Sequence, residues 1–447
     1  MDDHRFVIGR STVVAATLSA LVLSAVPARA ATPNDVSSLG LDASYNVQAS
    51  FDWHGRTADV KTTATVHGTR PWTTSALAFN LQTLRIGHAQ LTNVTVDGAA
   101  QAATVDDQTI LVALDPPLAP GASTVVEIDY AARMTPTPDP NGDDWGFAAT
   151  ADYLTAYRWI PWLSRTTKFD RPSVGDPYVT ANASNVHVEI TADPSLIFAA
   201  TGTQTASGAT RVFDAHNVRD FNFAASPTYR SANRTMSGIA VTVYYRKLDP
   251  GVILDTTARA INDYTSKVGR YPYPVLNIAE TGPWASIESP ETFWLADNVP
   301  GHLLEWTTAH EVGHEWFYAV VGNDQGRDPF ADEALVDFMS RNLLDDFVPS
   351  QCPTGFLDST IYDLGTCYPW VVYVQGNLWL RDYRDQVGSA TFWRGVANYY
   401  EAHKFGIGST LELLNALDAA RGKSQFHDRF PRLYPVPVVD LPFGALP

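Results

Sequence analysis

Apolar and polar residues alternate through Ala58 to Val66, Thr124 to Tyr130, Val186 to Thr191 and Ile239 to Tyr245, the two-residue period of strands that bury one face. Gly, Pro, Asn and Asp turns separate these segments, so residues 31–247 read as an N-terminal all-β, antiparallel domain. From Ile253 the period lengthens. Ile253, Ala258 and Ile261 share one side of a helix that ends near Gly269, before Tyr271-Pro272-Tyr273-Pro274. Val275 to Ile278 suits a short strand. Helical patterns then cover Leu303 to Val321, Ala331 to Phe347, Tyr373 to Gln386, Thr391 to His403 and Ser409 to Ala420, the last opened by a Ser409/Glu412 capping box. The expected fold class is α+β and multidomain, the β domain being followed by a mainly helical domain over residues 248–447. The proline-rich tail, Pro431 to Pro447, is expected to pack as an extended strap or to fray.

With 447 residues, 45% of them hydrophobic and only 18% charged, the chain has ample apolar material for sizeable cores. A net charge of −17 repels phosphate backbones and anionic head groups, so nucleic acid is not an expected partner. The first thirty residues carry Arg5 and Arg10, an apolar run from Val13 to Val26, and Ala28-Arg29-Ala30, a signal-peptidase pattern. Residues 1–30 therefore read as a signal peptide cut after Ala30, and the product as secreted. The apolar run falls short of the roughly 20 residues a spanning helix needs, so no stable membrane anchor is expected. The two cysteines, Cys352 and Cys367, are expected to bond in an exported chain, the alternative being two buried thiols. A loop of that size would contribute about 3 kcal/mol.

The candidate chemistry lies in His310-Glu311-Val-Gly-His314, an HExxH pattern inside a helical run. Four residues apart, the two imidazoles share one helix face and can reach a single zinc ion, while Glu311, turned roughly 100° away, can address a water beside it. A catalytic zinc site needs a third protein ligand and an open fourth position. The candidate ligand is Glu333, at the start of the next helical pattern. Taken alone, Glu333 also suits a first helical turn through the macrodipole. Asp337, one turn further on, can orient a ligand imidazole or simply face solvent.

In order along the chain, Gly269-Arg-Tyr-Pro-Tyr-Pro-Val-Leu-Asn-Ile, Ala285-Ser-Ile-Glu288-Ser, the HEVGHEWF segment with Glu333 at its spacing, and Tyr373-Val-Gln-Gly376 with the segment from Thr391 to Phe405 are similar to one family. They resemble the gluzincin metallopeptidases that include aminopeptidase N and the leukotriene-A hydrolases. Arg219-Asp-Phe-Asn-Phe-Ala-Ala-Ser-Pro resembles the end of that family's β domain, so the likeness covers nearly the whole mature chain. It implies a thermolysin-like catalytic domain and one zinc per chain held by His310, His314 and Glu333. It also implies Glu311 as general base, Tyr373 as oxyanion donor, Glu288 as the residue that recognises a substrate's amino terminus, and peptides or proteins as substrates. Tyr368 is a second tyrosine candidate. Two departures stand out. The loop around Glu288 reads Ala-Ser-Ile-Glu-Ser where the family has Gly-x-Met-Glu-Asn, and the large helical C-terminal domain of many relatives is missing from the likeness, which implies a more open cleft. The expected function is a secreted zinc aminopeptidase. A zinc endopeptidase is the alternative, and a non-catalytic peptide-binding module is the alternative of another class, one that predicts loss of Glu311 or of a zinc ligand.

Overall fold

In the strand Asp42–Asp52 every second side chain is buried (Ala43, Tyr45, Val47, Ala49 and Phe51), and its antiparallel neighbour Thr57–His67 repeats the pattern. Alternation thus sorts one face to the core and one to solvent. These strands lie at the centre of an eight-stranded sheet. On one side Ser123–Arg133 pairs antiparallel with Thr57–His67; on the other Ala183–Ala192 runs parallel to Asp42–Asp52. Two four-stranded sheets complete the β half. The computed structural model describes residues 36–139, 142–166, 178–421 and 428–434. The expected signal peptide and the tail beyond Tyr434 lie outside these residues.

From Arg230 onwards the layers change. Val275–Thr281 pairs in parallel with Ile239–Tyr245 and with Thr292–Ala296, and Ile287–Ser289 closes the edge of this five-stranded sheet. The sheet also takes in Arg230–Met236, so its strands begin before residue 248, where the periodicity changes. Among the described residues, six longer helices follow the strands or lie between them: α1 Pro250–Lys267, α2 Leu304–His314, α3 Glu333–Leu344, α4 Gly376–Val387, α5 Ser389–His403 and α6 Thr410–Arg421. Asp249 caps α1 by accepting from Gly251 N at 2.8 Å, and Pro250 sits where a helix tolerates it. Just before the expected strap, Phe430 is buried against Phe330 and Trp379 at centroid distances of 5.0 and 5.1 Å.

Two glycines set the spacing of the helices. A Cβ on Gly313 would meet Val336 Cγ1 at 2.8 Å, and one on Gly376 would meet Ala334 Cβ at 2.5 Å. Hence α2, α3 and the start of α4 approach more closely than side chains would allow. Gly376→Ala should cost about 1–3 kcal/mol through overpacking, read as a lower urea midpoint with an unchanged slope. An unchanged midpoint would mean that these helices part freely.

α2 is shorter than the sequence pattern suggests, ending at His314 instead of running to Val321. The Phe317 carbonyl turns back towards His314 Nδ1 at 3.1 Å, Ala319 N reaches back to His314 O at 2.9 Å, and Tyr318 takes φ 148°. A cation from the β half then holds the segment. Arg219, fully buried, donates to Ala319 O (3.2 Å), Val320 O (3.4 Å), Gly406 O (2.9 Å) and Thr180 O (3.0 Å).

Candidate active site

His310 and His314 stand one turn apart on α2, their Nε2 atoms 3.1 Å from each other and each 3.4 Å from Glu333 Oε2 at the start of α3. Donors held tetrahedrally at about 2.0 Å from one zinc would lie about 3.3 Å apart. The triangle matches. The Glu333 oxygen that closes it is buried and has no hydrogen bond among the described residues. His314 Nδ1 faces two acceptors, Asp332 Oδ1 at 2.8 Å and the Phe317 carbonyl, so it carries a proton and leaves the Nε2 lone pair for a metal.

Electrostatics point the same way. Glu288, Glu311, Asp332, Glu333 and Asp337 are all buried around the two imidazoles. Burial, reinforced by Glu288, Glu333 and Asp332 against the opposing pull of His314, pushes Glu311 well above the usual carboxylate range. Burial likewise raises Asp332, to about 7, against His314. Burial would raise Glu333 too, but the imidazoles of His314 and His310 hold it well below its ordinary value. Crowded buried carboxylates of this kind call for a cation, and a dication in the His310, His314, Glu333 triangle would supply it. The donor set fits zinc.

Glu311 lies on the neighbouring face of α2, 5% exposed, and its Oε2 has no hydrogen bond among the described residues. Glu288, on the edge strand Ile287–Ser289, joins it: ligand atoms of Glu288, Glu311 and His314 all lie within 4.8 Å of one another. Tyr373 stacks on the His310 ring at 5.6 Å and 14°, and burial together with the facing Glu333 carboxylate pushes its phenol well above the usual value. Tyr368 lies behind it, edge-on at 5.8 Å. The sequence pattern places Tyr373 at the start of a regular helix. It sits instead in a π-helical turn, Pro369–Gln375, that leads into α4, a wider backbone found mostly at functional sites.

Asp337 does not hold a ligand imidazole by hydrogen bond: its Oδ1 is 3.9 Å from His310 Nδ1 and accepts instead from Trp306 Nε1 at 2.9 Å, with Arg341 Nε at 3.5 Å. Asp332 takes that role for His314. It occupies the N-cap of α3 yet makes no capping bond with its side chain; its place directly before Glu333 is the one sequence feature that could have singled it out, and the pattern alone pointed instead to Asp337. Gln325 was not legible at all. Its Nε2 donates to Glu288 Oε1 (2.7 Å) and Asp332 Oδ2 (3.0 Å), while Arg158 Nη2 donates to its Oε1 at 3.0 Å. One amide therefore links Glu288 to the carboxylate behind His314, steadied by an arginine from the β half.

The donor set is that of an HExxH site, two histidines one helical turn apart joined by a carboxylate from the next helix. No family model matches the chain. Among curated proteins it is similar to tricorn protease-interacting factor F2 of Thermoplasma volcanium, 24% identical over 207 residues, which are 38% of this chain and 26% of that protein. Aminopeptidase N of Lactococcus lactis subsp. lactis is 23% identical over 266 residues, 49% of this chain and 31% of that protein. The chain thus spans about a quarter to a third of the length of these relatives. The M1 zinc metallopeptidase of Deinococcus radiodurans superposes with a TM-score of 0.68 at 17% identity, covering 92% of this chain and 98% of that one. A mutant of that enzyme bound to a Tyr-Ser-Ala substrate gives 0.64 at 18% identity, covering 86% and 93%. The chain has the two-domain fold of the M1 zinc metallopeptidases, and the resemblance to the aminopeptidase N group read from its sequence is borne out.

Proposed function

We propose that the chain is an exported zinc aminopeptidase that removes residues from the free amino termini of peptides. The observation that carries this reading is the buried cluster in which Glu288 and Glu311 adjoin the His310, His314, Glu333 triangle. His310, His314 and Glu333 would hold zinc, which would lower the pKa of a bound water and polarise a carbonyl beside it. Glu311 Oε2, without a hydrogen bond among the described residues, accepts a proton from the attacking water and hands it to the leaving amine. Tyr373 keeps its proton at neutral pH and donates a hydrogen bond to the charge that develops on the carbonyl oxygen. Glu288, oriented by Gln325, pairs with the substrate's α-ammonium. Export is supported by the N-terminal charge and apolar pattern and by the Cys352–Cys367 disulfide. No helix among the described residues is long and apolar enough to cross a membrane.

The test compares amino-acid arylamides and free peptides with their N-acetylated forms. Free termini should be strongly preferred, because a blocked terminus leaves the Glu288 carboxylate buried without its partner. Glu288→Ala should raise KM for free-amine substrates far more than for acetylated ones. Internal cleavage of acetylated peptides at rates equal to the trimming of free ones would replace the aminopeptidase reading by the endopeptidase one.

A further inference from the structure

Two residues after Tyr373, at the end of the π-helical turn, lies Gln375, buried and with both ends of its amide engaged. Nε2 donates among Ser350 Oγ (3.0 Å), Cys352 O (3.2 Å) and Pro353 O (2.9 Å); Oε1 accepts from Gly355 N (3.0 Å) and Arg429 Nη2 (2.8 Å). Four of these five partners belong to residues 350–355. That same segment is bonded covalently through Cys352 to Cys367, the neighbour of Tyr368. Ser350 Oγ also donates to Trp370 O at 3.2 Å, within the turn itself. A disulfide thus grips the turn where it begins and one amide grips it where it ends, with Tyr373 between them, stacked on His310 and abutted by Tyr368. A π-helical turn is uncommon and keeps its shape where its surroundings hold it, and side chains that act on a transition state need support of this kind to stay within about 0.5 Å of the productive position.

We propose that Gln375 is a positioning residue for Tyr373: together with the Cys352–Cys367 disulfide, its amide clamps residues 350–355 onto the π-helical turn and so fixes the phenol over the metal site. This rests on the reading of Tyr373 as the oxyanion donor. Gln375→Glu keeps the bonds from Gly355 N and Arg429 but sets a carboxylate oxygen against the carbonyls of Cys352 and Pro353. The clamp should open without a cavity being made.

The experiment measures kcat, KM and zinc content on the full chain for Gln375→Glu and for the paired variant Cys352→Ser/Cys367→Ser, each with Tyr373 intact and in a Tyr373→Phe background. Tyr373→Phe alone should lower kcat by about 100-fold or more with KM little changed. Gln375→Glu should lower kcat by about 10- to 100-fold, as a displacement approaching 1 Å does, with KM and zinc content as in the parent. Neither change should lower kcat further once the Tyr373 hydroxyl is gone. The paired serine variant opens the clamp from its other end, so a poorly folding Gln375→Glu leaves the test intact. An equal loss in the Tyr373→Phe background would make Gln375 a general stabilising residue and overturn the proposal, as would parental kcat in both clamp variants. If Tyr373→Phe alone leaves kcat unchanged, the oxyanion reading falls and the positioning role falls with it; a large Tyr373→Phe loss beside intact clamp variants removes the positioning role alone.

Discussion

A Glu311→Gln variant should bind its full complement of zinc and turn over substrate about a thousandfold more slowly than the parent. The amide is nearly isosteric, and the oxygen it replaces makes no hydrogen bond among the described residues, so no structural bond is lost. What is lost is a proton acceptor beside the metal triangle. Glu311 is also crowded by Glu288, Glu333 and Asp332, which with burial push its pKa up. Neutralising it should therefore leave thermal stability equal to the parent's or higher, a combination that a merely structural glutamate would not give. Metal analysis, a melting curve and kcat on one sample decide the matter. Near-parental turnover would remove Glu311 from the reaction.

The other large effect concerns the metal. His314→Ala deletes one corner of a triangle whose sides are 3.1, 3.4 and 3.4 Å and strands Asp332, which gives up its 2.8 Å bond to the ring. Zinc content should fall from about one per chain to near zero, and activity with it. Asp332→Ala leaves all three donors in place but releases His314 Nδ1, and should weaken zinc binding by about 10- to 100-fold. Titration against a chelator of graded strength separates the two variants. Full zinc retention by His314→Ala would move the metal to another donor set, for which the Glu288, Glu311 and His314 grouping offers no replacement, since it shares the deleted ring.

How much of this was legible in the chain depended on how local the cause was. The strands around Val60 and Val188 follow from alternation, because one buried face dictates a two-residue period. HExxH is legible because both imidazoles sit on one helical turn, and Glu333 because a fixed spacing carries it to the start of the next helix. Gln325 and Arg158 are different. Their link exists only once the β half and the helices have met, Arg158 crossing to an amide 167 residues away, and no period or motif encodes such a meeting. The early stop of α2 and the π-helical turn escaped for a related reason. Apolar periodicity continues through both, while the backbone answers to the His314 ring in one case and to Gln375 in the other.

Arg219 bears on how such a chain can be inherited or cut. Its guanidinium is dissolved in the carbonyls of Ala319, Val320 and Gly406, which belong to the helical half, and of Thr180, which belongs to the β half. The first of the helical-half contacts along the chain, Ala319, lies five residues beyond His314. A gene fragment encoding only the residues after 248 would carry HExxH and Glu333 intact and still lack the cation that ties the turn behind them to Thr180, leaving Val320 O and Gly406 O with only their backbone partners Phe405 N and Gly322 N. The β half is thus no detachable adaptor. Recombination that exchanges it would have to bring an arginine to the same place.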